Sequence, residues 1–202
     1  MFILDPDLNT VLTLVDQSNQ DAWRKYFQPI ADNNRHVFVA FSLFRPTSSG
    51  TIRLSSNNPF DHPLINTNYF SNQQDLAATV RTMSVGLKIA EYLSDYLTYT
   101  PVPVPGCKLC NDRPMSACYT YLACVAQTVT FTTFHPCCTC RMGNSSNPKA
   151  VVDERLRVMN VQKLRVIDAS VMPIVPNANI NAATMMIGEH GTHMILQDNN
   201  LI

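Results

Sequence analysis

The stretch His135-Pro136-Cys137-Cys138-Thr139-Cys140-Arg141-Met142-Gly143 decides how the rest of the chain is interpreted. It follows an apolar, threonine-rich run over residues 125–134 and places a titratable imidazole in a loop. Further along, Asn177, Asn179 and Asn181 stand just before an apolar run that predicts a helix. An imidazole accepts a proton near neutral pH, and an amide donates a hydrogen bond to a developing alkoxide. The two groups together suit the oxidation of an alcohol, although their spacing alone does not establish it.

The composition of the chain limits which classes of protein it can belong to. A chain of 202 residues, 46% hydrophobic and 15% charged, predicts a folded globular protein with one substantial core. Lys+Arg and Asp+Glu both total 15, so nothing in the charge balance indicates binding to nucleic acid or an anionic membrane. The start, Met1-Phe2-Ile3-Leu4 and then Asp5, lacks the basic residues and long apolar run of a signal peptide. No stretch has the apolar length that predicts a membrane span.

The hydrophobic patterns predict an α+β fold. Residues 36–44 read as a strand and residues 51–55 as a second one, so the turn at 48–50 predicts an antiparallel hairpin between them. Residues 73–96 carry apolar side chains three and four apart, which predicts an amphipathic helix capped by Ser71 or Asn72. Other expected elements are a brief helix at 21–27 ending before Pro29, helices at 115–126 and from Asn181 or Ala182 to Leu196, and short strands at 151–153, 156–158 and 164–168.

The loop at 135–143 resembles the signature of the glucose-methanol-choline (GMC) oxidoreductases, usually His-Pro-x-Gly-Thr-Cys-x-Met-Gly. Cys138 stands where that signature usually has glycine. The run from Asn179 to Thr184 resembles the family's Asn-x-Asn-Ala-Pro-Thr, and segments at 43–54, 57–61 and 150–173 match in the family's order. Within the family, the chain resembles the insect branch, glucose dehydrogenase (FAD, quinone). The chain is thereby identified as a member of the family and as its C-terminal portion.

The resemblance implies how the chain is divided. Residues 1–134 are expected to form the substrate-binding region, an antiparallel sheet with packed helices. Residues 135–202 are expected to hold the catalytic loop and a C-terminal segment that completes the FAD-binding domain. The Gly-x-Gly-x-x-Gly loop of the family's N-terminal Rossmann half is absent from this chain. A rival hypothesis is therefore a truncated, catalytically silent remnant or a binding module.

The resemblance also implies a site. FAD is the expected cofactor, an alcohol or sugar the substrate, and a quinone, oxygen or another electron acceptor the partner that reoxidises the flavin. His135 is expected to be the general base and Asn181 to hydrogen-bond the developing alkoxide, with Asn179 as the alternative to Asn181. No metal is expected. The expected flavin contacts are Asp168, Ala169, Ile180, Asn181 and Ala182.

Seven cysteines are many for this length. The spacing of four of them permits a zinc site on paper, Cys107, Cys110, Cys137 and Cys140. The insect-type relatives instead imply a disulfide between Cys107 and Cys124, with Cys140 as a free thiol. Cys110 and Cys118 leave other pairings open. With the resemblance, this cysteine content implies an exported, extracellular protein.

Overall fold

In the computed structural model, the described residues are 2–4, 20–31, 38–96 and 103–202. They belong to two units. The first combines Met1–Ser49 with Asn68–Phe131, and the second combines Gly50–Thr67 with Thr132–Ile202. Helices together with small antiparallel sheets make up the described part of the chain, which confirms the α+β class.

Helices dominate the described residues of the first unit. They are α1 (Gln20–Ala31), α2 (Gln73–Tyr92) and α3 (Tyr119–Val129), with a short 3-10 helix at Met115–Ala117. Strands β1 (Phe2–Leu4) and β2 (Phe38–Ala40) form an antiparallel pair in the register Phe2 opposite Ala40. The prediction of one helix over 115–126 is thus corrected to a 3-10 turn followed by α3, which runs on to Val129.

The amphipathic helix predicted from residue 73 is confirmed as α2. It begins where Asn72 Oδ1 accepts the backbone N–H of Gln74 at 2.9 Å, which satisfies one of the orphan donors at a helix start. Leu76 and Val80 on its predicted apolar face are buried. The helix ends at Tyr92, before the expected end at residue 96.

The core of the first unit joins α1, α2 and α3. The rings of Trp23 and Phe27 stack with their centroids 5.9 Å apart. Around them pack Leu76, Val80, Val104, Cys107, Cys118, Tyr121, Leu122 and Ala126. Apolar burial of this kind is the main stabilising contribution to such a unit.

Two disulfides staple the segment before α3 to that core. Cys107 bonds to Cys124, as the resemblance implied, and Cys110 bonds to Cys118. Cys140 is the free cysteine. The four-cysteine zinc arrangement is not observed, because Cys107 and Cys110 are each bonded to another partner and Cys137 is also in a disulfide.

Two predictions about local structure were wrong. Helix α1 continues through Pro29 to Ala31, because a proline so near the helix end removes only one late backbone hydrogen bond. The hairpin between residues 36–44 and 51–55 does not form. Strand β2 pairs with β1, whereas β3 (Thr51–Arg53) pairs with β4 (Leu64–Asn66) in an antiparallel sheet.

The turn between β3 and β4 explains that second pairing. The backbone N–H of Asp61 donates to the carbonyl of Asn58 at 3.2 Å, and Asn58 Nδ2 donates to Asp61 Oδ1 at 2.9 Å. Ser56 Oγ adds a bond to Asp61 Oδ2 at 2.5 Å. Asx side chains of this kind close turns effectively, so the chain reverses here and brings β4 to β3.

The second unit is organised by α4 (Asn181–Asp198), whose bounds confirm the helix predicted from Asn181. The three strands expected within 151–168 are reduced to isolated bridges, Val152 with Val158 and Arg157 with Arg165. The core of the second unit contains Val152, Leu156, Val171, Met172, Ile180, Ile187 and Met194.

Two arginines tie the end of α4 to the segment before Asp168. Arg155 contacts the carboxylate of Asp198 at 2.6 Å, and Arg165 contacts the same carboxylate. Both ion pairs fasten the helix to the bridged segment. Among the described residues, none of the helices has the length and apolar character needed to cross a membrane.

Candidate functional site

The loop that carries His135 lies along the corner that follows Ile167. Three of its backbone N–H groups donate to successive carbonyls of that corner, Cys138 to Ala169 at 3.4 Å, Cys140 to Ser170 at 2.9 Å and Met142 to Val171 at 2.8 Å. The structure therefore brings together two segments that were predicted separately, the loop at 135–143 and the corner at Asp168 and Ala169, where a flavin contact was expected.

The start of α4 belongs to the same packed cluster. Ile180, immediately before the helix, is buried in the core of the second unit. Cys137, Cys138 and Ala169 pack against that core. The His135 loop, the corner and the first turn of α4 are thus held by one set of apolar contacts, although His135 and Asn181 themselves lie outside it.

The imidazole of His135 is half-buried and faces the hydroxyl of Thr133, whose Oγ1 lies 3.0 Å from Nδ1. Nδ1–H donating to this oxygen would define the tautomer in which Nε2 is the proton-accepting atom. Thr133 was not among the residues predicted from the sequence. Its one sequence signal is a hydroxyl two residues before the histidine, within reach of the ring.

The two asparagines that compete for the alkoxide role have different surroundings. Asn179 Oδ1 accepts the backbone N–H of Asn181 at 3.0 Å, so this side chain caps the start of α4. Asn181 is exposed at the first helical position, and its side-chain amide makes no hydrogen bond within the described part of the chain. The bond to the backbone N–H orients the side chain of Asn179, whereas the side chain of Asn181 can turn towards a ligand.

The first turn of α4 fits a negatively charged ligand. Its N-cap, Ile180, supplies no side-chain hydrogen bond, and no acidic residue stands in the first turn. Ala182 at the second helical position is exposed and has no side chain beyond Cβ to obstruct a ligand. Orphan N–H groups and the positive end of the helix dipole stabilise an anion, and a reduced flavin ring is one. The residues present fit FAD.

Asp168 shapes the neighbouring corner. Its Oδ1 accepts the backbone N–H of Ser170 at 2.7 Å and so caps a short 3-10 helix, Ala169–Val171. This bond turns the chain just after the bridged segment and presents the backbone around Ala169 to the His135 loop. A backbone contact to a ligand at this corner needs no particular side chain at position 169.

Cys138 has a left-handed backbone, with φ at 74°. This is the region that glycine occupies at little cost, which agrees with the glycine that the family signature usually has there. Cys138 is also bonded to its neighbour Cys137 in a disulfide that sequence analysis did not predict. The only signal was the Cys-Cys dipeptide.

The second unit also holds two open depressions. One, of about 770 Å³, lies beside the end of the loop and is lined by residues that include Met142, Asn144 and Asp153. The other, of about 620 Å³, lies on α4 beside Met186 and His190. Neither lining includes His135 or Asn181, so the candidate site is defined by the loop, the corner and the helix start rather than by a cavity.

Several known proteins are similar to this chain. The family model described as GMC oxidoreductase matches residues 46–188. Mitochondrial choline dehydrogenase of Mus musculus is 36% identical over 170 residues, which cover 81% of this chain and 27% of that protein. Glucose dehydrogenase [FAD, quinone] of Drosophila melanogaster is 32% identical over 173 residues, which cover 82% of this chain and 26% of that protein.

Solved structures are also similar to this chain. Pyridoxine 4-oxidase from Mesorbium loti is 30% identical with a TM-score of 0.60, covering 74% of this chain and 28% of that one. A variant of the Aspergillus oryzae formate oxidase is 25% identical with a TM-score of 0.65, covering 98% of this chain and 38% of that one. The chain spans about a quarter of the length of the curated relatives it matches.

The proteins that this chain matches form a class of FAD-dependent oxidoreductases. Within it, the chain belongs to the GMC oxidoreductase family.

Proposed function

We propose that this chain is the C-terminal, substrate-side part of an FAD-dependent enzyme that oxidises an alcohol or sugar hydroxyl. The observation that supports it most is the pairing of the His135 loop with the corner at Asp168 and Ala169, in one core with the start of α4. In this proposal residues 1–134 are the substrate-binding region, and residues 135–202 provide the catalytic loop and flavin contacts.

His135 acts as the general base. In the tautomer in which Thr133 Oγ1 accepts Nδ1–H, the lone pair of Nε2 takes the proton of the substrate hydroxyl. Bound FAD would supply the acceptor for the hydride that leaves the substrate carbon. The imidazole is half-buried, so it remains in contact with water through which the proton can later leave.

Asn181 stabilises the oxygen from which His135 removes the proton. Its side-chain amide stands at the N-terminal end of α4, where the helix dipole also favours developing negative charge. The flavin contacts are Asp168, Ala169, Ile180, Asn181 and Ala182. Ile180 and Ala169 hold this frame through the core, and Ala182 offers an exposed backbone at the helix start.

The similarity to insect glucose dehydrogenase supports a glucose-dehydrogenase-like specificity and a quinone as electron acceptor. Choline dehydrogenase is a relative of comparable similarity, so choline is the competing substrate. Disulfides in both units support export to an oxidising, extracellular compartment.

The test uses the full-length protein and anaerobic stopped-flow reduction of its flavin by choline, glucose and a simple primary alcohol. His135→Ala should slow reduction by about 10²–10⁴-fold with the better substrate while flavin stays bound. His62→Ala is the matched control, because His62 is an exposed histidine in the turn between β3 and β4. A His135→Ala enzyme that is reduced at the unmodified rate would remove His135 as the base.

Asn181→Ala should slow the same step by about 10²-fold, because one donor to the developing alkoxide is lost. Asn177→Ala is its control, since Asn177 is exposed and precedes the capped turn. Combining His135→Ala with Asn181→Ala should cost less than the sum of the two effects, because both groups act on one oxygen. Full additivity would place them on different steps.

The rival proposal is a catalytically silent remnant or a binding module. It predicts that the natural protein carries no flavin. The 202-residue chain expressed alone should not retain FAD through gel filtration, because it contains no phosphate-binding glycine loop. Stoichiometric flavin on the isolated chain would contradict that expectation, and a flavin spectrum of the natural protein would exclude the remnant.

A further inference from the structure

The disulfide between Cys137 and Cys138 differs from the other two in what it encloses. Cys107–Cys124 spans 17 residues and Cys110–Cys118 spans 8, whereas Cys137–Cys138 joins adjacent residues. A disulfide stabilises a fold mainly by restricting the unfolded chain, and that effect grows with the length of the enclosed loop. A bond between neighbours restricts almost none of the unfolded chain, so opening it removes little stability of this kind.

The three disulfides also differ in access. Cys107 and Cys118 are buried, with 6% and 1% of their surface exposed, so each bond in the first unit has one shielded end. Cys137 and Cys138 are both half-buried. Thiol–disulfide exchange needs an attacking thiolate to reach a sulfur atom in line with the bond, so access controls its rate. The bond between neighbours is the one that a small thiol reaches from either end.

The bond also holds the backbone of the His135 loop. It closes a ring around the Cys137–Cys138 peptide, and Cys138 has the left-handed φ of 74° that side chains disfavour. In this conformation Cys138 N–H bonds to Ala169, and its carbonyl accepts Arg141 Nε at 2.9 Å. Opening the ring removes its restraint on this φ and leaves the conformation to the hydrogen bonds of the loop alone.

We propose that Cys137–Cys138 is a redox-active site that exchanges with small dithiols and thereby controls the loop carrying His135. One thiolate of the dithiol attacks a sulfur of the pair, forms a mixed disulfide and releases the other sulfur as a thiolate. The second thiol of the dithiol then displaces the remaining sulfur. The dithiol is oxidised to a disulfide by two electrons, and Cys137 and Cys138 become two thiols.

The oxidised form keeps His135 in place, and the reduced form releases it. His135 is two residues before Cys137, so a change of backbone at Cys138 moves the chain that fixes the imidazole. Misplacing a catalytic group by about 1 Å can lower a rate 10²-fold. This control rests on the proposed function of His135, whereas the exchange itself does not.

The first arm of the test measures the exchange in the full-length protein. Samples equilibrated with increasing dithiothreitol are trapped with N-ethylmaleimide and mapped by mass spectrometry. Cys137 and Cys138 should become labelled at a dithiothreitol exposure about tenfold below that needed for the other two pairs. Two outcomes would overturn the proposal. One is labelling of both Cys137 and Cys138 in the untreated protein. The other is that Cys137 and Cys138 become labelled together with, or after, Cys107 and Cys124.

The second arm measures the consequence. After reduction mild enough to open only Cys137–Cys138, flavin reduction by substrate should slow by about 10–100-fold and recover when the pair is reoxidised. A variant carrying Cys137→Ser and Cys138→Ser should show the slow rate and no response to dithiothreitol. An unchanged wild-type rate with the pair open would overturn the control of the loop.

The two arms separate this inference from the proposed function. A protein whose flavin no alcohol reduces would contradict the proposed function, while the labelling order would still decide whether the pair is redox-active. Because that arm uses the unmodified protein, it stands even if the serine variant does not fold.

Discussion

Two glycines three residues apart in α4 offer a sharp test of how the second unit is packed. A Cβ at Gly191 would lie 2.5 Å from Cγ2 of Ile167, 3.0 Å from its Cδ1 and 3.3 Å from its Cγ1. A Cβ at Gly188 would meet nothing within 4 Å. Both residues lie inside the helix, so Gly191→Ala and Gly188→Ala differ chiefly in this contact. Ile167 directly precedes Asp168, so the contact also sets where α4 stands against the candidate site.

The expected free energies follow from two effects. Alanine in place of an interior helical glycine gains up to about 1 kcal/mol of helix propensity at either position. Overpacking against Ile167 costs about 1–3 kcal/mol at Gly191. The reason is that rotating the Ile167 side chain moves one of its branches away from the new Cβ and brings the other branch closer to it. Gly188→Ala should therefore raise the free energy of unfolding by about 0.5–1 kcal/mol. The Gly191→Ala variant should be less stable than the Gly188→Ala variant by the overpacking cost.

Urea unfolding of the 202-residue protein, followed by far-ultraviolet circular dichroism, measures both variants against the unmodified chain. For a protein of this size, a difference of 1 kcal/mol corresponds to about 2–4 °C in Tm. Ile167→Ala removes the three contacted atoms, so it should couple favourably with Gly191→Ala in a double-mutant cycle. Equal stabilisation by Gly188→Ala and Gly191→Ala, or no coupling to Ile167→Ala, would refute the close approach of α4 to this segment.

Three further predictions concern stability. Burial raises the pKa of Asp75, but hydrogen bonds from Ser48 and Thr47 outweigh it and lower the pKa from 3.8 to about 2. The stabilisation by ionised Asp75 is therefore present above pH 3.8 and lost as pH falls towards 2. Asp75→Asn should lower the free energy of unfolding by about 2 kcal/mol at neutral pH. Urea unfolding at a series of pH values should then show a smaller loss of stability below about pH 4 in the variant than in the unmodified protein. Replacing Cys107 and Cys124 together by alanine should lower the free energy of unfolding by about 3 kcal/mol, measured by urea unfolding under non-reducing conditions. Cys138→Gly removes the disulfide to Cys137, which restricts little of the unfolded chain, and relieves a left-handed φ that costs a side chain about 1 kcal/mol, so it should raise Tm. An unchanged or lower Tm in calorimetry would show that cysteine is tolerated there without strain.

Local patterns were enough to predict the two longest helices among the described residues. The apolar periodicity from residue 73 and the cap at Asn72 depend on neighbours three and four residues apart, so α2 and its start could be read directly. The same holds for the start of α4 at Asn181. The resemblance at 135–143 added the family and the expected roles of His135 and Asn181, and the family is confirmed. Those residue roles stay predictions.

Partner choice between distant segments depended on the tertiary structure. The strand pattern of residues 51–55 is equally compatible with β2 or β4 as a neighbour, and the turn network at Asn58 and Asp61 decided for β4. Likewise, no spacing in the sequence shows that Cys138 bonds to Cys137, or that the His135 loop pairs with Ala169. Periodicity records which face of an element is apolar, but it does not record which other element covers that face. That choice is made by the packing of the whole core, in which Ile180, Val171 and the loop cysteines come together only after the chain has folded.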